Sequence, residues 1–112
     1  MPLSELDAQR VKRVVERWNE RVPPHARRKL WYTQSTRGNA VTLVENRPYF
    51  RDETRTTEHP FARFKYDPKT GKWSLWCRDR NQKWHRYAGF QAVTLEAAVA
   101  EVERDPTGIF LG

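Results

Sequence analysis

RFKYDPKTGKWSLWCR, from Arg63 to Arg78, places two alternating apolar segments on either side of a turn. Asp67-Pro68 followed by Gly71 has the chemistry of a type I turn that closes into a left-handed residue. With Pro68 to Gly71 as a four-residue loop, Tyr66 faces Trp73, Phe64 faces Leu75 and Ala62 faces Cys77. All six side chains suit a core. A slip of one residue would set Lys65 against Trp73 and Arg63 against Leu75, placing cations among the core candidates, so the apolar pattern selects the first register.

The chain beyond this hairpin continues as WCRDRNQKWHRY, Trp76 to Tyr87, with Asp79-Arg80-Asn81-Gln82 suited to another turn. A two-residue or a four-residue loop gives the same pairing there: Cys77 with Trp84, Arg78 with Lys83 and Trp76 with His85. Thr94 then caps a helix over 94–104 with Leu95, Ala98, Val99 and Val102 on one stripe, and Pro106 ends it. The apolar run Ile109-Phe110-Leu111 in the tail, 106–112, is expected to dock on its own core or on a partner subunit, the second case making a homodimer.

Upstream, Ser4 and Asp7 open a helix over 4–22 in which Val11, Val14, Val15, Trp18 and Val22 recur at helical spacing before Pro23-Pro24 stops it. Lys29 to Thr36 and Val41 to Phe50 are rich in strand formers and are joined by Arg37-Gly38-Asn39, a good hairpin turn. Pro48 cannot donate to a ladder, so the second strand is expected to end there or lie at an edge, and RDETRTTEH reads as an exposed loop. The fold expected is a single α+β domain over 1–112. It has an N-terminal helix, a five-stranded antiparallel sheet built from hairpins within 29–87, and a C-terminal helix, with both helices on one sheet face.

Alternation then sorts the strands. Ala62, Phe64, Tyr66, Trp73, Leu75, Cys77 and Trp84 are assigned to the covered face, and Phe61, Arg63, Lys65, Trp76, Arg78, Lys83, His85 and Tyr87 to the open one. On the first helix Arg10, Arg13, Arg17 and Arg21 share one quadrant, at about 100° per residue. They read as a solvated flank or as a row of phosphate contacts.

The 112 residues carry a net charge of +7. Residues 1–28 hold seven cations and four acids, residues 29–92 thirteen and six, and residues 93–112 one and four. The excess favours polyanionic partners. An open sheet face that alternates cations with flat rings fits single-stranded RNA or DNA, with Arg63, Lys65, Trp76, Arg78, Lys83, His85 and Tyr87 as contacts and Arg13 and Arg17 as further phosphate ligands. The same pattern fits an acidic protein surface, or a sheet face covered merely by its own long side chains.

An enzymatic alternative is a metal-independent ribonuclease with His85 and Tyr87 as the acid/base pair, Arg78 and Lys83 stabilising the phosphorane. A non-catalytic module is the preferred reading. Cys77 and His85 sit on opposite faces in this register, so they form no dyad, and Cys77 reads as a small buried hydrophobe. His25, His59, His85 and Cys77 lack metal-ligand spacing. Glu45, Asp52 and Glu58 read as surface acids. No metal and no cofactor are expected. The lone cysteine, together with the lack of a leader or membrane-spanning run in these residues, leads to the expectation of a cytoplasmic protein with no membrane partner.

ENRPYFRD at Glu45 to Asp52, WSLWCRDRNQKWHRY at Trp73 to Tyr87 and DPTGIFLG at Asp105 to Gly112 together resemble a family of small bacterial proteins, the domain of unknown function 3024. The resemblance spans roughly Val41 to the C-terminus. It implies that Arg47-Pro48, Arg51-Asp52, Arg78 to Asn81, Trp84-His85 and Asp105 to Phe110 belong to the family pattern, and it brings no catalytic role. The chain departs from that pattern at Phe50, Cys77 and Leu111, where the family carries an aromatic, usually Trp.

Overall fold

The computed structural model describes residues 3–110. Helix α1 (Glu5–Arg21) is followed by one 3₁₀ turn (Pro24–Ala26), strands β1 (Trp31–Arg37), β2 (Ala40–Tyr49), β3 (Asp52–Asp67), β4 (Lys72–Arg78) and β5 (Trp84–Arg86), and helix α2 (Leu95–Arg104). The strands form one antiparallel meander in sequence order. The α+β architecture is therefore the expected one. Both helices begin at side-chain caps: Ser4 Oγ accepts from the Asp7 N–H, and Thr94 Oγ1 from the Ala97 N–H.

One sheet face is covered. Val41, Leu43, Ala62, Phe64, Trp73, Leu75 and Cys77 pack there against Val11, Val14 and Trp18 of α1 and Leu95, Ala98, Val99 and Val102 of α2. Each large apolar side chain removed from water in this way stabilises the fold by about 1.5–3 kcal/mol. The β3–β4 register is the one expected, with Phe64 opposite Leu75 and Tyr66 opposite Trp73.

Three local expectations are corrected. The stretch RDETRTTEH is not a loop. It opens the 16-residue strand β3, which pairs back on β2 beyond the rest of the sheet, with Phe50-Arg51 at the turn. Its threonines favour an extended chain, and their lack of an apolar alternation follows from having no layer to cover. Pro48 lies in this projecting arm, one residue before the end of β2 and beyond its pairing with β1, so it occupies an edge position as expected.

The second correction is a β-bulge. Leu43 pairs with Ala62 but Val44 pairs with Pro60, leaving Phe61 as the extra residue. The bulge accommodates Pro60 in a central strand and turns Phe61 from the open face into the core, where its ring stacks on Trp18 with centroids 5.7 Å apart.

The third correction is a register shift. Cys77 pairs with His85, Arg78 with Trp84 and Trp76 with Arg86. The β4–β5 loop has three residues, Arg80 to Gln82, closed by the Asp79 N–H to the Lys83 carbonyl at 2.9 Å, and Gln82 takes a left-handed φ of 65°. An odd-length loop moves every β5 side chain to the face opposite that given by two or four residues. Trp84 therefore leaves the covered face, and Tyr87 joins it.

The tail docks on its own chain through Phe110, which is buried against the core, whereas Ile109 is exposed and Leu111 lies outside the described residues. At the opposite side of the sheet, Asn19 of α1 reaches edge strand β1. Its Oδ1 accepts from the Tyr32 N–H at 2.7 Å and its Nδ2 donates to the Tyr32 carbonyl at 2.9 Å, as a neighbouring strand would.

Trp18 ties these layers together, since its Nε1 also donates to Glu103 of α2 at 2.8 Å. Trp18→Ala is expected to destabilise the fold by about 3–5 kcal/mol through the cavity and the lost ring contacts. Chemical denaturation reads the difference. A loss below 1 kcal/mol, about the scale of a single neutral hydrogen bond, would deny Trp18 this role.

Candidate functional site

The open sheet face is built by β3, β4 and β5. Arg63 and Lys65 project from β3, Ser74, Trp76 and Arg78 from β4, and Trp84 and Arg86 from β5, as the pairings Lys65–Ser74, Arg63–Trp76, Trp76–Arg86 and Arg78–Trp84 require. Two cation–π assemblies organise it. The Lys65 ammonium lies 4.0 Å from the Trp76 ring centroid. Trp84 meets two guanidinium groups, Arg63 at 4.3 Å and Arg78 at 5.6 Å. Such contacts contribute about 0.5–1 kcal/mol when exposed and more when desolvated.

The hydrogen bonds of these cations go to neutral atoms. Arg63 Nε donates to Thr42 Oγ1 at 3.0 Å, and Arg78 donates to the Pro60 carbonyl and to the carbonyl and side-chain oxygens of Gln82. Among the described residues, the ion pairs involve Arg10, Arg21, Arg47, Arg55, His85 and Arg104, and not these three. Burial, and then the charge of Arg78, draw Arg63 below its ordinary pKa. A guanidinium remains a cation at neutral pH even so. Like charges held side by side without a carboxylate leave their field open to an anion.

Of the residues picked out in the sequence, Arg63, Lys65, Trp76 and Arg78 come together on this face. Trp84 and Arg86 belong with them and were missed, Trp84 because the wrong loop length put it inside. Lys83 is exposed in the β4–β5 turn. Arg13 and Arg17 lie on α1, across the sheet, lining a groove with Arg10, Val14 and Glu96. Arg10 is bound to Glu96 there at 3.3 Å.

His85 and Tyr87 leave the open face for the same reason that Trp84 enters it. Tyr87 packs against the core and its hydroxyl donates to Glu101 at 3.0 Å. Burial first, and then Glu101, push the Tyr87 hydroxyl above its ordinary pKa. His85 Nε2 lies 2.6 Å from Asp79 Oδ2, at the end of the hairpin. The two side chains are thus held by separate carboxylates. Cys77 is buried and its Sγ faces the His85 carbonyl at 3.6 Å, while burial raises the thiol pKa. That is the setting of an inert cysteine.

A family model for a domain of unknown function (DUF3024) matches residues 3–112, and the chain belongs to that family. No curated protein and no solved structure matches it. Among the described residues, no helix is long and apolar enough to cross a membrane.

Asp79 governs the turn beside the site. Its Oδ1 accepts from the Asn81 and Lys83 N–H groups at 2.8 and 2.9 Å. The Lys83 hydrogen bond, followed by that of His85, lowers its pKa. A carboxyl lowered in the folded state stabilises the fold above its unfolded value, about 3.9. That contribution is lost as pH falls through the folded value. The Asn81 and Lys83 amide resonances are expected to hold their positions down to about pH 4, the unfolded value, and to shift together below it. In Asp79→Asn this joint acid transition should vanish. Its persistence in the variant would assign it to another group.

Proposed function

We propose that this chain is a non-catalytic binding module that holds single-stranded nucleic acid on the open face of its sheet. The observation that carries this reading is the set of three cations, Arg63, Lys65 and Arg78, laid over two indoles and outside every ion pair among the described residues, with the two arginines hydrogen-bonded to neutral partners. A single strand offers phosphates to such cations and unstacked bases to such rings.

The two assemblies would divide the work. Arg63 and Arg78 are fixed around Trp84 and supported by Thr42, Pro60 and Gln82, which suits them to phosphate oxygens at low ordering cost. Lys65 has a flexible stem. Its ammonium can swing from Trp76 to a phosphate, leaving that ring free to stack on a base. Trp76 is held in place meanwhile, because its Nε1 donates to Ser74 Oγ at 3.0 Å. The non-catalytic part of the reading draws on the engagement of His85 by Asp79 and of Tyr87 by Glu101, away from these cations.

Fluorescence anisotropy with labelled single-stranded RNA and DNA, repeated across salt concentrations, tests the proposal. Arg63→Ala and Arg78→Ala should each fold normally and reduce the salt slope by about 0.7, the value of one phosphate contact on a single strand. Trp76→Ala should weaken binding by about 1–3 kcal/mol with little change in slope. RNA incubated with the wild type in chelator should remain intact. Failure of the wild type to bind either polymer at low salt would overturn the proposal, as would variants that leave affinity and slope unchanged. Cleavage abolished by His85→Ala would replace it with the ribonuclease reading.

A further inference from the structure

We infer that the projecting β2–β3 arm is a self-association element whose tip enters an apolar pocket at the root of the same arm on a second copy of the chain. The inference is independent of what the open sheet face binds.

Strand β1 pairs with β2 only as far as Asn46, and β4 pairs with β3 only from Arg63 onward. The strands between, Arg47 to Tyr49 and Asp52 to Thr57, therefore have each other as ladder partners and, among the described residues, no third strand beside them. A two-stranded hairpin is marginally stable in water without further cover. Its tip is also the most exposed aromatic site described. Phe50 is 81% exposed, with the Tyr49 ring 5.1 Å away and the Arg51 guanidinium 5.3 Å from its centroid. The tip thus offers an aromatic ring and a cation side by side.

The complementary site is present on the same molecule. A cavity of about 330 Å³ at the C-terminal end of α1 is lined by Trp18, Val22, Leu30 and Tyr32, with Arg21 and Glu103 as its charged members. This volume lies at the small end of the range for ligand pockets. Tyr32 is paired with Glu45, so the cavity adjoins the root of the arm. Phe50 lies only four residues beyond Asn46, a reach of about 13 Å along an extended strand. A single two-fold axis crossing two antiparallel arms would carry each tip to the other's root, and such a contact closes at two chains.

Charge selects a second copy as the occupant. Residues 45–58 of the arm hold three arginines and four acids, whereas residues 18–32, which supply all of the pocket's lining but Glu103, hold four cations and one acid. The arm of one copy therefore meets a root of opposite net charge on the other. At the pocket, Glu103 already accepts from Trp18 Nε1 and pairs with Arg21 at 3.7 Å. Phe50 would fill the apolar volume while Arg51 approached Glu103.

Sedimentation velocity of the full chain over a range of concentrations tests this. The wild type should show a concentration-dependent dimer. Phe50→Asp, a change at a site 81% exposed in the single chain that should leave the circular dichroism spectrum of the fold intact, should be monomeric. Arg51→Glu and Glu103→Arg should each dimerise at least tenfold more weakly alone, since both sites of either homodimer place like charges together. Mixed in equal amounts, they should recover the dimer, because one site then carries the exchanged pair and the other the native one. A wild type that stays monomeric at every concentration would overturn the inference, as would a dimer untouched by Phe50→Asp. So would folded single variants, each impaired, whose mixture fails to recover.

Discussion

The stacking of Trp18 on Phe61 holds the layers of this molecule in place. Trp18 belongs to α1, Phe61 to β3, and Tyr32 of β1 meets both rings edge-on at 5.2 and 6.1 Å. Glu103 of α2 accepts from the indole N–H. One side chain is therefore in contact with both helices and two strands. The arrangement depends on the bulge at Phe61, without which that ring would stand on the far side of the sheet. The same bulge begins the stretch of β3 that leads to the arm, so a single extra residue both completes the core and redirects the strand.

Turn length separates what could be read in the amino-acid sequence from what could not. Asp67-Pro68 and Gly71 specify a four-residue loop by local chemistry, and Gly71 takes the left-handed φ of 69° that the turn requires. The apolar alternation on both sides then supports one register, and it is the observed one. The β4–β5 turn offered no such marker. Its left-handed residue is Gln82, a side chain that seldom adopts this conformation, and Asp79 stabilises it through hydrogen bonds visible only in three dimensions. Because Trp84, His85 and Tyr87 all lie beyond this turn, one misjudged residue exchanged their faces together.

The candidate site was partly legible for the same reason. Arg63, Lys65, Trp76 and Arg78 lie before the uncertain turn, on strands whose pairing is marked by the Pro-containing hairpin. Trp84 is an aromatic at a position where either face would accept one, so its residue type could not correct the register. The arm was hidden differently. Its charged and threonine-rich strand has no covered face and hence no period-two apolar signal, and only pairing with β2 reveals it as a strand.

The grip of Asn19 on Tyr32 bears on how the protein behaves when crowded. An unpaired sheet margin is a template on which other chains can aggregate, and natural sheets blunt it by several devices. Here a helix side chain occupies the backbone donor and acceptor of Tyr32, at the start of β1, so an incoming strand would have to displace an amide already bonded at both ends. The other margin is blunted by brevity, since β5 has three residues. A folding contact between a helix and a strand thus also serves as a barrier against disordered, open-ended polymerisation.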